Sequence, residues 1–232
     1  MKDIPINNSE ILETLNKFLW FYDEREGEVA KCKQYGQGAD REHFIGDEYR
    51  DTIISRGSIH NGYPEKGRYY SFTGIGIGNK NVGESLTRKT IQYYTTVNEE
   101  LQVKLCTRHN ALCVLYPPKG FISWHNNANA AAYNLIFTWS ETGDGYFKYV
   151  DGYTGDEIIV PDKKGWQCKA GYFGAYDEEP EKLVYHSAST DCWRITVSYI
   201  FNRKEISFGL QEDVIEEIKS KKILVLKVNS YK

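Results

Sequence analysis

The stretch that decides the fold is Tyr116-Pro117-Pro118-Lys119-Gly120-Phe121-Ile122-Ser123-Trp124-His125-Asn126-Asn127, which carries a histidine at the end of an apolar segment. Its turn residues Pro117-Pro118-Lys119-Gly120 separate two apolar runs, and this pattern predicts two short strands joined by a tight turn. Side chains two residues apart lie on the same face of a strand, so we expect His125 and Asn127 to project from one face. An imidazole nitrogen and an amide oxygen there are two potential metal ligands.

A second histidine and an arginine follow on later predicted strands. His186 lies in Val184-Tyr185-His186, about sixty residues after His125, and Arg194 begins the next apolar run eight residues later. Two histidines and one oxygen ligand, with one side of the metal left open, are the ligand set of non-haem Fe(II) oxygenases. A buried arginine on a neighbouring strand can hold a carboxylate through two parallel hydrogen bonds.

Short apolar or alternating segments follow one another from Val103 onwards, and glycine-containing turns such as Thr142-Gly143-Asp144-Gly145 separate them. Eight such segments with tight turns predict an all-β sandwich, barrel or jelly roll. The predicted strands are 111–116, 121–125, 133–140, 146–149, 157–160, 169–175, 183–186 and 193–201.

Helices are predicted on both sides of the strand-rich region. Apolar residues at three- and four-residue steps predict one helix from about Glu10 to Tyr22 and a second over 84–101. The polar, glycine-rich stretch 27–67 predicts loops with short elements. After the strands, Gln211 to Lys221 is predicted to form a closing helix, and 223–228 a last strand.

Composition excludes several classes of protein. The 232 residues include 29 Lys plus Arg and 32 Asp plus Glu, so the net charge is −3 and a generally basic nucleic-acid-binding surface is excluded. A local basic patch could still form from Lys163-Lys164 and Arg203-Lys204. Nucleic acid is therefore a possible partner, although the net charge does not indicate one. Nothing predicts a membrane span or a signal peptide. Five widely spaced cysteines without a C-x-x-C pattern favour reduced thiols in a cytoplasmic protein.

Two other catalytic patterns find little support in the sequence. Gly74-Ile75-Gly76-Ile77-Gly78 superficially resembles a phosphate loop, but it lacks the dinucleotide spacing and the Lys-Ser/Thr of a P-loop, which favours a turn or bulge. No G-x-S-x-G pattern supports a serine nucleophile, and no cysteine has a flanking context that supports a thiol nucleophile.

The order of strand, His-x-Asn, glycine turn, Pro-x-x-x-Gly, His and Arg resembles the Fe(II)/2-oxoglutarate-dependent oxygenases, specifically their prolyl-4-hydroxylase-like branch. The resemblance covers Leu112 to Phe201. A vaguer likeness links the chain to oxygenase-like proteins of tailed phages, in which case its place would be the host cytoplasm. The resemblance implies Fe(II) and 2-oxoglutarate as cofactor and cosubstrate. It assigns metal-ligand roles to His125, Asn127 and His186 and cosubstrate-pocket roles to Arg194, Tyr116, Thr138 and Asn134.

The fold that the resemblance implies is mainly β with flanking helices: a double-stranded β-helix (jelly roll, cupin-like), α+β overall. On that fold, the whole chain forms one oxygenase-like domain. Its parts are an N-terminal helical and irregular support region (1–102), a jelly-roll core (103–201) and a C-terminal helix and strand (202–232).

Asn127 departs from the family pattern, which has Asp or Glu at this place. A neutral amide oxygen is a weaker ligand for a divalent cation than a carboxylate. Four arrangements remain open: Asn127 is a weak ligand, Asp144 supplies a carboxylate, the two histidines hold the metal together with water, or the site is inactive. The implied function is hydroxylation of an unidentified protein side chain, small molecule or nucleobase. The alternatives are a non-catalytic metal- or ligand-binding module and a halogenase-type variant, which would need a smaller residue than Asn127.

Overall fold

The strand-rich half of the sequence forms the strands that its alternating segments predict. The computed structural model describes residues 1–73, 86–107, 109–127 and 131–221. The glycine-rich segment 74–78 and the predicted last strand 223–228 lie outside these ranges. The described strands are β1 (Lys2–Ile4), β2 (Gln34–Tyr35), β3 (Gly67–Ser71), β4 (His109–Tyr116), β5 (Gly120–His125), β6 (Ala132–Ser140), β7 (Gly145–Val150), β8 (Glu157–Pro161), β9 (Gly165–Phe173), β10 (His186–Thr190) and β11 (Arg194–Asn202).

Helices precede and follow these strands. The described helices are α1 (Ser9–Lys17), α2 (Trp20–Asp23), α3 (Arg41–Ile45), α4 (Asp47–Arg56), α5 (Arg88–Lys104), α6 (Arg203–Ser207) and α7 (Leu210–Lys219). Asn8 caps α1 and Thr87 caps α5 through side-chain oxygens that accept backbone N–H groups of the first turn. Across the described ranges, no helix combines the length and the apolar character that crossing a bilayer requires.

The strands form two antiparallel sheets in interleaved order. One sheet runs β9-β6-β11-β4, the other runs β5-β10-β7-β8, and β3 pairs with both β4 and β5 at the seam between them. Along the chain, successive core strands therefore pass back and forth between the two sheets: β4, β6, β9 and β11 lie in the first, and β5, β7, β8 and β10 lie in the second. This is the double-stranded β-helix, or jelly roll, and the predicted fold is confirmed: mainly β with flanking helices.

The two faces of the first sheet have different partners. On β11, Ile195, Val197 and Tyr199 pack with the apolar faces of α1, α5 and α7 in the main core. The alternate residues, beginning with Arg194 and Thr196, therefore face the space between the two sheets. A smaller cluster from both sheets, including Tyr116, closes part of that space. The interior thus combines an apolar wall with buried polar side chains.

Several predicted boundaries differ from the structure. The predicted helix 10–22 is interrupted after Lys17 and continues as α2. The stretch 27–67, predicted as loops with short elements, contains the short helices α3 and α4, the two-residue strand β2 and the first residue of β3. Helix α4 buries only Tyr49 and Ile53, so it carries too few apolar residues for a periodic signal. The predicted strand 183–186 is displaced: β10 begins at His186 and continues through small polar residues that are buried on both faces.

Candidate metal centre

Two histidines meet where β5 ends and β10 begins. His125 is the last residue of β5, His186 is the first of β10, and the two residues are partners in the register of this antiparallel pair. Their ring centroids lie 4.1 Å apart, and both side chains are buried. The ring of Phe173, at the end of β9, closes one side at 4.9 Å from the His186 ring. The structure therefore brings the two predicted ligands together.

Hydrogen bonds to the backbone fix the same tautomer in both rings. Nδ1 of His125 lies 2.8 Å from the carbonyl oxygen of Ser123, and Nδ1 of His186 lies 2.8 Å from that of Val184. A carbonyl oxygen only accepts, so each Nδ1 carries the proton and donates it. Each Nε2 is then left with a lone pair. Metal-bound histidines are oriented in this way, with the other ring nitrogen held by a carbonyl or carboxylate.

Burial keeps both imidazoles neutral. Desolvation lowers the pKa of His186 from 6.5 to about 4, against a smaller opposing effect of its hydrogen bond to Val184. Burial likewise lowers the pKa of His125 well below its ordinary value, and the neighbouring His186 lowers it further. Neutral imidazole is the form that binds metal, so protons do not compete for these nitrogens near neutral pH.

The metal-free protein is expected to lose stability as the pH falls from about 6.5 to about 4. In this window the unfolded chain protonates His186 and the folded protein does not, so the stabilising effect of the neutral ring is lost as the pH falls. The pKa difference corresponds to roughly 3 kcal/mol. Urea unfolding at several pH values measures it, with His186→Gln as the comparison. Equal pH slopes for both proteins would contradict the expectation.

The strand-alternation prediction for Asn127 is wrong. Strand β5 stops at His125, and Asn127 has a φ of 63°, the left-handed conformation that Asn tolerates better than most residues. Its side chain still lies beside the His125 ring, because it favours the protonated ring and so opposes, to a smaller extent, the lowering of the His125 pKa by burial. Asn127 thus stays beside the histidines through a turn.

Asp144 does not supply the missing carboxylate. It is exposed in the turn before β7, whereas His186 pairs with Tyr149 near the other end of that strand. Among the residues that the structure describes, no group of three His, Cys, Asp or Glu side chains is placed to hold a metal ion. The described donor set is therefore two neutral imidazoles and the neutral amide of Asn127.

A third histidine, His60, lies close by and was missed by the sequence analysis. A positive charge on His60 would lower the pKa of His125. The His60 side chain is buried beside Glu65, with Nε2 3.7 Å from the carboxylate. Nδ1 of His60 accepts the backbone N–H of Gly62, so Nε2 carries the proton and does not coordinate in this tautomer. No spacing signal marks His60, because it belongs to the stretch that was predicted as loops.

Arg194 is buried and faces the interior, and a carboxylate of the same chain already pairs with it. Its Nε donates to Asp162 Oδ2 at 2.7 Å, and Nη1 donates to Thr196 Oγ1 at 2.6 Å. Thr138 Oγ1 lies 3.5 Å from Nη2. Sequence analysis missed Asp162, whose only signal was an acidic residue at the start of the turn after Val160-Pro161.

The other predicted pocket residues line the same interior. Tyr116 pairs with Arg194 in the β4–β11 register, and the guanidinium carbon lies 5.4 Å from its ring centroid. Burial raises the pKa of Tyr116 to about 12, although Arg194 acts in the opposite direction. Asn134 is buried four residues before Thr138 on β6, nearer the histidine end, and donates to the carbonyl of Ala132. The predicted roles of these residues as ligands and cosubstrate contacts stay predictions.

Comparisons with known proteins concern the fold. No family model matches the sequence, and no curated protein matches it. The structure is similar to a Pseudomonas putida prolyl-4-hydroxylase, with a TM-score of 0.33 and 13% identity over 80% of this chain and 99% of the other. It is also similar to the viral collagen prolyl hydroxylase of Paramecium Bursaria Chlorella virus-1 (TM-score 0.31, 12% identity, 75% and 96% covered). A cupin domain of Bordetella pertussis gives a TM-score of 0.25 at 15% identity, with 40% and 84% covered.

Proposed function

We propose that this protein is an Fe(II)- and 2-oxoglutarate-dependent oxygenase, most simply a hydroxylase. One observation carries the proposal. His125 and His186 face each other at one end of the double-stranded β-helix, each with Nδ1 held by a backbone carbonyl and Nε2 left for a metal. Two imidazoles with open positions around the metal are the core of the non-haem iron ligand set.

The residues present fit a metal that is only partly held by the protein. His125 and His186 would bind it through Nε2, and Asn127 is placed to add a neutral amide oxygen. No carboxylate of the described chain neutralises the divalent charge there, so an anionic cosubstrate has to do so. Iron, when bound together with 2-oxoglutarate, supplies the oxygen activation that a hydroxylation needs.

The interior between the sheets would hold the cosubstrate. Arg194 offers a guanidinium to a carboxylate, with Thr138 beside it. Tyr116 and Asn134 would line the path between that carboxylate and the histidines. The buried walls exclude water, which strengthens the electrostatic interactions of each of these groups.

A non-catalytic ligand-binding module is the second candidate function. Two observations favour it: Arg194 already pairs with Asp162, and the metal centre lacks a carboxylate ligand. A halogenase-type variant is less favoured, because Asn127 is larger than the small residue that would leave room for a halide, and its side chain lies beside the His125 ring. The prime substrate is set by loops at the pocket mouth.

With O2 as the oxidant and ascorbate as the two-electron reductant that turns the second oxygen atom into water, Fe(II)-loaded protein is expected to convert 2-oxoglutarate slowly into succinate and carbon dioxide even without its prime substrate. Succinate formation under air is measured for the wild type, for His125→Gln and for His109→Gln, which changes an exposed histidine on β4. Activity in the wild type and in His109→Gln, but not in His125→Gln, supports the oxygenase. Tight binding of Fe(II) and 2-oxoglutarate without any succinate formation would contradict the oxygenase and support the non-catalytic binding module.

A further inference from the structure

Two connecting loops lie beside the histidine pair. The loop 151–156 follows β7 directly, and Tyr149 of that strand pairs with His186. The loop 174–185 leaves β9 after Phe173, whose ring contacts the His186 ring, and leads into β10. Both loops therefore border the candidate metal centre.

A third segment, 57–66, borders the same end of the barrel. Lys66 is hydrogen-bonded to Ser123, two residues before His125: the Lys66 N–H donates to the hydroxyl, and the Lys66 carbonyl accepts the Ser123 N–H. The hydroxyl of Tyr176 lies 2.9 Å from a backbone carbonyl oxygen at the start of this segment. The three segments that surround this end, which we call the rim, are 57–66, 151–156 and 174–185.

The rim carries an excess of negative charge. Its sequence contains seven carboxylates and two lysines, and Arg56 and Arg203 pair with rim carboxylates from outside it. The resulting excess of three negative charges equals the net charge of the whole chain. The ion pairs of the rim involve its other four carboxylates, so Asp151, Asp156 and Glu181 form none with a described residue. In the described chain, these carboxylates do not converge as metal ligands do, so they present a surface to an extended cation.

Exposed apolar side chains lie among these charges. Ile59 is 89% exposed, Tyr63 is 53% exposed and Tyr153 is 80% exposed. They are three of the seven large apolar side chains that the described chain exposes, although the rim is a small part of that chain. Apolar groups concentrated on one surface mark an interaction site, and a tyrosine ring attracts a lysine or arginine cation over its face.

A buried hydrogen-bond donor without an acceptor lies beneath the rim. The side chain of His60 is 2% exposed, and its Nδ1 accepts the N–H of Gly62, which leaves the proton on Nε2. Nε2 has no hydrogen-bond partner among the described residues, and it faces Glu65, a partly exposed rim carboxylate 3.7 Å away. This N–H is thus directed towards the rim. An unpaired buried donor is unfavourable, so a ligand that brings an acceptor to it gains affinity.

We propose that the rim binds a cationic polypeptide segment, so that the prime substrate of the hydroxylase is a lysine- or arginine-rich protein. The substrate role rests on the proposed function, whereas binding to the rim needs no metal. Such a segment supplies cations to the carboxylates, aliphatic stems that cover Ile59 and the two tyrosines, and a backbone carbonyl for His60. The same carboxylates repel the phosphates of a nucleic acid, and a small polyamine has no carbonyl to offer.

Fluorescence anisotropy of the metal-free protein with a labelled, end-blocked peptide of alternating lysine and glycine tests the binding surface. We expect this peptide to bind, and its affinity to fall as sodium chloride screens the rim charges. A peptide of alternating glutamate and glycine and an oligothymidylate should not bind. Failure of the lysine peptide to bind, or tighter binding of the oligothymidylate, would overturn the proposal.

The double variant Asp151→Asn/Asp156→Asn locates the binding on the rim. Asparagine still accepts the two backbone N–H groups that Asp151 Oδ1 accepts, so the turn is kept while the charge is removed. Binding of the lysine peptide should be roughly threefold to thirtyfold weaker. The matched control, Asp144→Asn/Asp191→Asn, removes the same charge from exposed residues at the other end of the barrel and should leave binding unchanged. Equal weakening in both double variants would overturn the assignment to the rim.

Spermine distinguishes a polypeptide from a simple polycation. A lysine peptide with the same number of charges as spermine should bind more tightly, because spermine brings no acceptor to His60. The variant His60→Phe should weaken binding of the peptide and leave binding of spermine unchanged. Equal affinities of spermine and the peptide for the wild type would overturn the polypeptide assignment.

Failure of this inference and failure of the proposed function have different signatures. If the oxygenase proposal fails, no succinate is formed, but the lysine peptide still binds to the metal-free protein and loses affinity in Asp151→Asn/Asp156→Asn. If the rim proposal fails, that variant binds the peptide as the wild type does or the peptide does not bind at all, while the Fe(II)-loaded protein still forms succinate.

Discussion

His186→Gln is expected to weaken divalent metal binding by roughly 100-fold or more, to the point where no stoichiometric metal is retained. His186 supplies one of two imidazole donors, and the remaining described donors are His125 and a neutral amide. Glutamine approximates the size of the ring but lacks an imidazole nitrogen held by the Val184 carbonyl. Titration with Mn(II), followed by electron paramagnetic resonance of the free ion, measures the loss.

His109→Gln is the matched control for this variant. His109 is exposed on β4, outside the buried pair, so its replacement should leave the Mn(II) titration unchanged. Thermal unfolding of the metal-free proteins checks that both variants fold. Retention of wild-type Mn(II) affinity by a folded His186→Gln would show that the metal does not bind between the two histidines.

2-Oxoglutarate is expected to tighten Mn(II) binding by roughly 100-fold, and Mn(II) to tighten 2-oxoglutarate binding by the same factor. The physical reason is charge. Two neutral imidazoles and a neutral amide leave both positive charges of the metal uncompensated in a buried site, and a dianionic cosubstrate neutralises them. Calorimetric titration of Mn(II) with and without saturating 2-oxoglutarate, under nitrogen, gives the coupling directly.

Asn127→Asp should reduce this coupling because it places one negative charge at the metal. We expect Mn(II) alone to bind roughly tenfold more tightly to the variant, so that 2-oxoglutarate adds less than it does in the wild type. Asp tolerates the left-handed φ of 63° nearly as well as Asn, which makes the change conservative for the backbone. Identical coupling in the two proteins would indicate that residue 127 does not act on the metal.

The fold could be predicted from the sequence because it depends on local patterns. The segments 111–116, 121–125 and 133–140 are short, apolar and separated by turn residues, and each became a strand with small changes at its ends. These segments alone fit a sandwich, a barrel or a jelly roll, and the resemblance to the oxygenase family selected the jelly roll among them. The helices α1 and α5 were recognised because each buries one apolar stripe against the sheet.

Other parts of the site depend on contacts between distant residues that no local pattern encodes. Asp162 looked like an ordinary turn residue, and only the folded chain places it against Arg194, 32 residues later. The position of Asn127 was argued from strand alternation, but the strand ends two residues earlier. His60 reaches the site from a segment without periodic apolar residues.

The proposed metal centre is tested most directly by the anomalous diffraction of Mn(II) in crystals grown with Mn(II) and 2-oxoglutarate under nitrogen. The expected result is one strong anomalous peak between His125 and His186, at roughly 2.0–2.2 Å from Nε2 of each ring. A peak bound through other residues, or no peak between the two rings at saturating Mn(II), would contradict it.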